Sequence, residues 1–257
     1  ELSKANVNLS AMMHQVEQLS LAAPPAPAPK TSLPEWNPEP PKEHARSFKM
    51  NRFWQFCMAF LAESSGQKGV LWWAAHHREH HRESDREKDI HSPLQRGFWW
   101  AHVGWVLSNQ YDEYDERAVA EFTKYPELRW LDKHHWVPNV SMGALMWIFM
   151  GWAPFLWGYV ISTVLLYHCT FFINSLAHLF GTRRYDTPDE SRNNIWLALI
   201  TFGEGWHNNH HHSPGSCRQG YRWWEIDITY ACLKVLSWMG IARDLRPFRD
   251  SISKAAV

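Results

Sequence analysis

Trp147-Ile148-Phe149-Met150-Gly151-Trp152-Ala153-Pro154-Phe155-Leu156-Trp157 lies at the centre of a run, His134 to Thr182, that contains no Asp, Glu, Lys or Arg. One crossing of a bilayer core takes ~20 apolar residues, so the run is long enough for two. Gly151 and Pro154 are turn formers in its middle, and Trp152 beside them suits a membrane–water interface. The run predicts two helices, near Trp136–Met150 and Phe155–Ile173, forming a hairpin across the bilayer. A buried helical pair in a soluble protein is the competing reading.

Around that run the composition sets bounds. The chain has 257 residues, which suits one domain with a tail. Its formal net charge is zero, so charge implies no nucleic-acid partner. Cys57, Cys169, Cys217 and Cys232 are scattered, with no pair spaced for a disulfide framework or a zinc ribbon. Seventeen tryptophans point to a lipid interface, yet the mean hydropathy is negative. The membrane part is therefore concentrated in one place.

Residues 1–46 are rich in Pro, from Pro24 to Pro41, and predict extended, unpacked chain; they lack the basic start and apolar middle of a signal peptide. Residues 47–257 form the domain. Phe53–Ala62 is apolar but too short to span, so it predicts an interfacial or core helix. Arg82–Asp89 reads as charged and solvent-facing, and the aromatic Gly97–Trp105 as interfacial. Gln110–Lys133 reads as a polar helical stretch broken near Pro126. Trp223-Trp224-Glu225-Ile226-Asp227 opens an amphipathic run to about Met239, placed against either the membrane surface or a catalytic cap and carrying no chemistry of its own.

The chemistry lies in the histidines. His77, His80 and His81 stand at i, i+3 and i+4, and so do His207, His210 and His211. Such positions share a helix face, so each set can bring three imidazoles to one point. Neutral imidazole is a common ligand of iron, copper, zinc and nickel, and two matched triplets predict a metal centre of one or two ions. A two-span hairpin returns the chain to its starting side, so both triplets lie on one face. Lys and Arg on both flanks make that face cytoplasmic. His178 ends the second span and is a seventh candidate ligand. Asn174, one turn earlier, is placed to touch the site directly or through water. Glu204 is placed to orient a histidine through its second nitrogen. His212 extends the run and reads as a surface residue.

At these residues the chain resembles the integral-membrane fatty acyl desaturases of the acyl-CoA Δ9 type. The matching pieces are His77-Arg78-Glu79-His80-His81, Gly97–Trp105, Asn174-Ser175-Leu176-Ala177-His178, Gly203–His211 and Trp223–Asp227, covering about Ser47 to Pro247. The resemblance implies a non-haem centre of two Fe ions held by His77, His80, His81, His178, His207, His210 and His211. It implies O2 activation and syn removal of two hydrogens from a saturated acyl chain, cis and at Δ9. The substrate would be a fatty acyl thioester or an acyl-lipid among membrane lipids, and the electron donor a ferredoxin or a small cytochrome. Trp73 matches a position lining the substrate path. His91 and His102 match family positions without a ligand role.

The chain also departs from the family. A first hairpin and a first histidine box, HxxxxH, are expected ahead of the triplets. His44-Ala45-Arg46-Ser47-Phe48-Lys49 resembles the tail of that box, with Ala45 at its second histidine and Pro40 at its first. Ala75 and His76 stand where animal members carry a polar pair for the CoA headgroup. The expected fold is an all-α integral membrane protein: a transmembrane helical hairpin plus a cytoplasmic helical cap carrying a histidine-rich metal site. A sister membrane di-iron hydroxylase and a degenerate homologue without turnover are the alternative readings of function.

Overall fold

The computed structural model describes residues 47–248. The Pro-rich segment expected over 1–46, with Pro40, His44 and Ala45, lies outside them.

Asn51 starts helix α1 (Arg52–Glu63). Its side chain accepts from the Trp54 N–H at 3.0 Å, satisfying a first-turn donor that has no partner within the helix. Just before it, β1 (Lys49–Met50) pairs antiparallel with β2 (Ala242–Arg243), beside a Lys49–Asp244 ion pair of 2.8 Å. Helix α2 (Val70–Glu83) has no side-chain cap of its own at Gly69. Carboxylates from elsewhere take its first N–H groups. Glu63 accepts from Val70 at 3.0 Å, and Asp132 accepts from Leu71 at 2.8 Å and Trp72 at 3.0 Å. Negative charge is favourable at a helix N-terminus, so α1 and α3 (Pro126–Lys133), which carries Asp132, fix where α2 begins. That matters because α2 carries the first histidine triplet.

Two apolar clusters flank α2. One joins Leu71 and Ala75 to Val119, Leu128 and Leu131. The other stacks Trp72 on Trp105, with ring centroids 5.3 Å apart, and adds Ile90 and Phe171. The Gly97–Trp105 stretch, expected at an interface, is therefore split. Trp99 is exposed, but Ala101, His102 and Trp105 are buried, because Trp100–Gly104 winds as a π-helical turn packed on the second long helix.

The uncharged run makes two antiparallel helices. Helix α4 (Trp136–Met150) has the expected bounds. Helix α5 (Trp152–His178) runs longer than expected at both ends. It is π-helical over Phe155–Ile161, α-helical over Ser162–Ser175 and 3-10 over Leu176–His178. Between the two, Gly151 adopts φ 84°, a conformation that strains any residue with a Cβ. Polar contacts tie the pair to the corner between α1 and α2: Asn139 donates to the Ser64 carbonyl at 2.9 Å and Tyr167 donates to the Gly66 carbonyl at 2.5 Å. Among the described residues, α5 is the one helix long and apolar enough to cross a membrane. Phe149 and Trp157 near the turn are 79% and 68% exposed.

Beyond α5 come three short helices: α6 (Ile195–Ile200), α7 (His207–His212) and α8 (Ile228–Trp238). Asn194 caps α6 by accepting from Trp196 at 3.0 Å, and Asp227 caps α8 by accepting from Tyr230 at 2.8 Å. The regular structure of the described residues is thus mostly helical, apart from the two-stranded pair and the isolated bridges Thr182–Asn193 and Asn193–Trp206.

Candidate metal centre

Helix α2 presents His77, His80 and His81, α7 presents His207, His210 and His211, and the last turn of α5 presents His178. All seven come together, but not triplet by triplet. One group is His80, His178, His207 and His211; the other is His77, His81 and His210. The expectation that each triplet meets at one point is corrected. Successive residues of a helix are rotated by about 100°. Positions i and i+4 therefore point within about 40° of each other, while i+3 and i+4 diverge by about 100°. So α2 gives its i, i+4 pair to one group and its i+3 residue to the other, and α7 does the reverse.

The nitrogens converge. Nε2 of His207 lies 3.1 Å from Nε2 of His178 and 3.1 Å from Nε2 of His211. Nε2 of His80 is buried without a hydrogen-bond partner. In the second group, Nε2 of His81 lies 2.9 Å from that of His210 and 3.1 Å from that of His77, and the third side is 3.4 Å. Nitrogens bound ~2.1 Å from one ion lie about 3.0 Å apart at right angles and about 3.4 Å apart at tetrahedral angles. The separations given match that range, and the donor atoms of each group all lie within 4.8 Å of one another, so the residues fit a metal ion at each.

Carboxylates behind the first group decide which nitrogen is bare. Nδ1 of His178 donates to Asp85 at 2.8 Å, Nδ1 of His80 to Asp89 at 3.0 Å, and Nδ1 of His211 to Asp189 at 2.8 Å. A carboxylate only accepts, so each bond places the proton on Nδ1 and leaves an Nε2 lone pair facing the centre. Burial and the neighbouring imidazoles hold His80, His207 and His211 well below the usual histidine range, in the neutral form that binds metals. Burial alone would raise the Asp85 carboxyl, but bonds from His178, Ser92 and the Glu190 N–H hold it below its usual value.

These aspartates escaped the reading of the sequence. Asp85 and Asp89 sit in the Arg82–Asp89 stretch expected to face solvent, and both side chains are buried. Their i, i+4 spacing directly after the first triplet was the available signal. Glu204 accepts from Gln219 at 2.9 Å. Nothing chemical was read into Glu225 either, yet it is buried and braces α7. It accepts from the Tyr221 N–H at 2.7 Å and from the Asn209 amide at 3.2 Å, and pairs with Arg184. Asn208 accepts from the Arg184 and Tyr185 N–H groups at 2.8 Å each. A helix of six residues is marginal alone, and this polar frame holds it. Gly205 sits against α6 so closely that a Cβ would lie 2.0 Å from the Ala198 nitrogen.

The remaining expected residues are placed as follows. Asn174 lies one turn before His178, and its Nδ2 is buried without a partner. Trp73 is half-buried, edge-on to Trp72 and Trp105 at 5.4 Å each. His91 packs on His80 at 4.2 Å between ring centroids and, with His80 and Asp89, makes a third compact donor group. Because the His80 Nδ1 is taken by Asp89, that group stands behind the first one. His102 bonds to His168 at 3.0 Å and Ser175 at 3.1 Å and joins none of these groups. His212 is half-buried and stacks on Tyr185 at 3.8 Å.

Comparison with known proteins gives this arrangement a family. Residues 44–235 match the fatty acid desaturase family model. The sn-2 palmitoyl-lipid 9-desaturase of Nostoc sp. (strain 36) is 34% identical over 203 residues, 77% of this chain and 71% of that protein. The sn-1 stearoyl-lipid 9-desaturase of Anabaena variabilis is 35% identical over 202 residues, 78% of this chain and 74% of that protein. The acyl-CoA C20 Delta5-desaturase of Anemone leveillei is 34% identical over 206 residues, 78% of this chain and 65% of that protein. The matched span contains both histidine groups, the aspartates behind them and the helical pair, and the chain belongs to the fatty acid desaturase family.

Proposed function

We propose that the chain is an acyl desaturase that places a cis double bond, at Δ9, in a saturated fatty acyl chain, using O2 and two iron ions. The observation that carries this reading is the meeting of seven imidazoles in two adjoining groups, with aspartates fixing the bare nitrogens of the first. His80, His178, His207 and His211 would hold one ion, with Asn174 reaching it through water; His77, His81 and His210 would hold the other.

Bound there, the ions would supply the activation of O2, whose reduction to two waters takes two hydrogens from the acyl chain, two electrons from a ferredoxin or a small cytochrome and two protons from solvent. The chain's own residues bind and aim. Asp85, Asp89 and Asp189 hold protons at Nδ1 and keep the rings from swinging. Trp73, with Trp72 and Trp105, offers an apolar wall along the acyl path and excludes water. No side-chain acid or base is needed at the acyl carbons. The α4–α5 pair crosses the bilayer and returns, which sets α2 and α7 side by side on the cytoplasmic face. Ala75 is apolar, and the His76 ring is buried with its Nε2 on the Tyr111 carbonyl at 3.1 Å, so neither presents an exposed polar group to a CoA headgroup. An acyl-lipid is the favoured carrier, as in the names of the two cyanobacterial relatives.

The test is expression in a host that lacks Δ9 desaturation, with iron analysis of the purified protein and mass spectrometry of its fatty acids. A 9-monounsaturated product with bound iron is expected. A hydroxylated product would make the chain a sister hydroxylase, and neither product nor iron would make it a degenerate homologue.

A further inference from the structure

Helix α8 is apolar along its length, with Lys234 its one charged residue, and of its residues only Leu233 is buried. Ile228, Cys232, Val235 and Met239 follow at i, i+4, i+7 and i+11, one continuous stripe, and all are exposed. Trp238 beside it is 78% exposed. A helix in water does not keep such a face uncovered without a reason.

What covers it follows from where the helix is tied. Helix α6 begins 17 residues after the end of α5, yet the two lie close: its cap, Asn194, also donates to the carbonyl of Phe180 at 3.4 Å, two residues past the end of α5. Trp196 and Ile200 on the outer face of α6 are exposed, Trp196 at 75%. At the other end of α6, the exposed Phe202 accepts at its carbonyl from Thr229 in the first turn of α8 at 2.9 Å. The apolar surface thus begins where the apolar span ends and runs through α6 and Phe202 into α8. Indole at its margins and a single exposed Lys suit the layer where hydrocarbon meets headgroups.

We propose that α6, Phe202 and α8 form a second membrane contact, lying in the plane of the bilayer on the cytoplasmic leaflet, with a phospholipid surface as the partner. This rests on the reading of α4–α5 as a membrane hairpin. Its consequence is positional. Gly205 presses α6 against the start of α7, so the bilayer contact and the histidines of α7 are rigidly linked, and the metal centre is held at a set height above the acyl chains.

The test uses the full chain in nanodiscs of phosphatidylcholine and phosphatidylglycerol. An environment-sensitive fluorophore is placed on the native Cys232, with the other three cysteines replaced by Ala. Two further variants lacking all native cysteines carry the label at Glu87→Cys, on the charged exposed stretch, or at Ile148→Cys, in the hairpin. The expected result is that the Cys232 label is quenched several-fold more by a lipid carrying a nitroxide near the headgroup than by aqueous iodide, with the reverse order at Glu87→Cys. Quenching of the Cys232 label by iodide to the extent seen at Glu87→Cys, while Ile148→Cys remains lipid-quenched, would overturn the contact and leave the hairpin standing. Iodide quenching at Ile148→Cys as well would overturn the hairpin reading itself. Protection of the Cys232 label from both quenchers would assign the face to another protein surface and also overturn the proposal.

Discussion

The two histidine groups share helices α2 and α7, with α5 adding His178 to the first, and they are held differently. The first has four imidazoles, three of them buried, and three bonds to aspartates from two separate loops. The second has three imidazoles among the described residues, one of them exposed. Helix geometry alone explains how the rings are shared out, because the rotation between i+3 and i+4 sends neighbours to different ions. It does not explain how firmly an ion is held. That depends on what stands behind each ring.

Replacing His178 by Ala should have the largest effect. It removes a ligand of the buried group and is expected to abolish desaturation and empty that position, a loss beyond the ~10–100-fold typical when only a supporting residue goes. His77→Ala should leave the buried group's iron in place. Equal iron loss in both variants, by elemental analysis and Mössbauer spectroscopy, would erase the distinction between the groups. Asp85→Asn comes next. It keeps the shape but not the charge behind His178, and iron affinity at the first group should fall about 10–100-fold with the second unchanged.

Chelation sharpens the same contrast. Iron-loaded protein titrated with a chelator is expected to lose its metal in two phases, the exposed three-imidazole position emptying first; a single phase would mean that the two positions are held alike.

The smallest effect lies away from the centre, at the cap of α2. Burial pushes the Glu63 carboxyl up to about 7, the Val70 N–H opposes the shift and Asp132 adds to it. The folded pKa is raised above the unfolded value, so the protonated form is favoured on folding. That stability is complete below the unfolded value near 4.3 and is lost as pH rises through about 7. The melting temperature should therefore drop by a few degrees between pH 5 and pH 8, and Glu63→Gln should flatten the drop. An unchanged slope in the variant would remove Glu63 as its source.

What the sequence made legible was periodic. The triplets, the bounds of α4 and the position of His178 at the end of a long apolar helix all follow from spacing within one element. The aspartates were not legible, because Asp85 and Asp89 share their stretch with Arg82, Arg86, Glu87 and Lys88, and only the folded contacts, His178 of α5 on Asp85 and His80 of α2 on Asp89, separate the buried acids from the solvated ones. Asp189 comes from a loop between α5 and α6, and its partner His211 is 22 residues away. Asn208 and Asn209 lay in plain view inside the histidine motif. Their function as braces for α7 exists only once Arg184, Asn193 and Glu225 have folded around them.

The π-helical segment of α5 has a consequence for evolvability. A π turn bonds i to i+5 and so takes one more residue per turn than an α turn. Deleting a single residue within Phe155–Ile161 can be absorbed by tightening that turn, leaving Asn174 and His178 aimed as before. The same deletion within Ser162–Ser175 would rotate both by about 100° and turn them from the centre. One helix thus contains a stretch where its residue number can drift and a stretch where it cannot, so insertions and deletions can accumulate in the first without turning the histidine at its end.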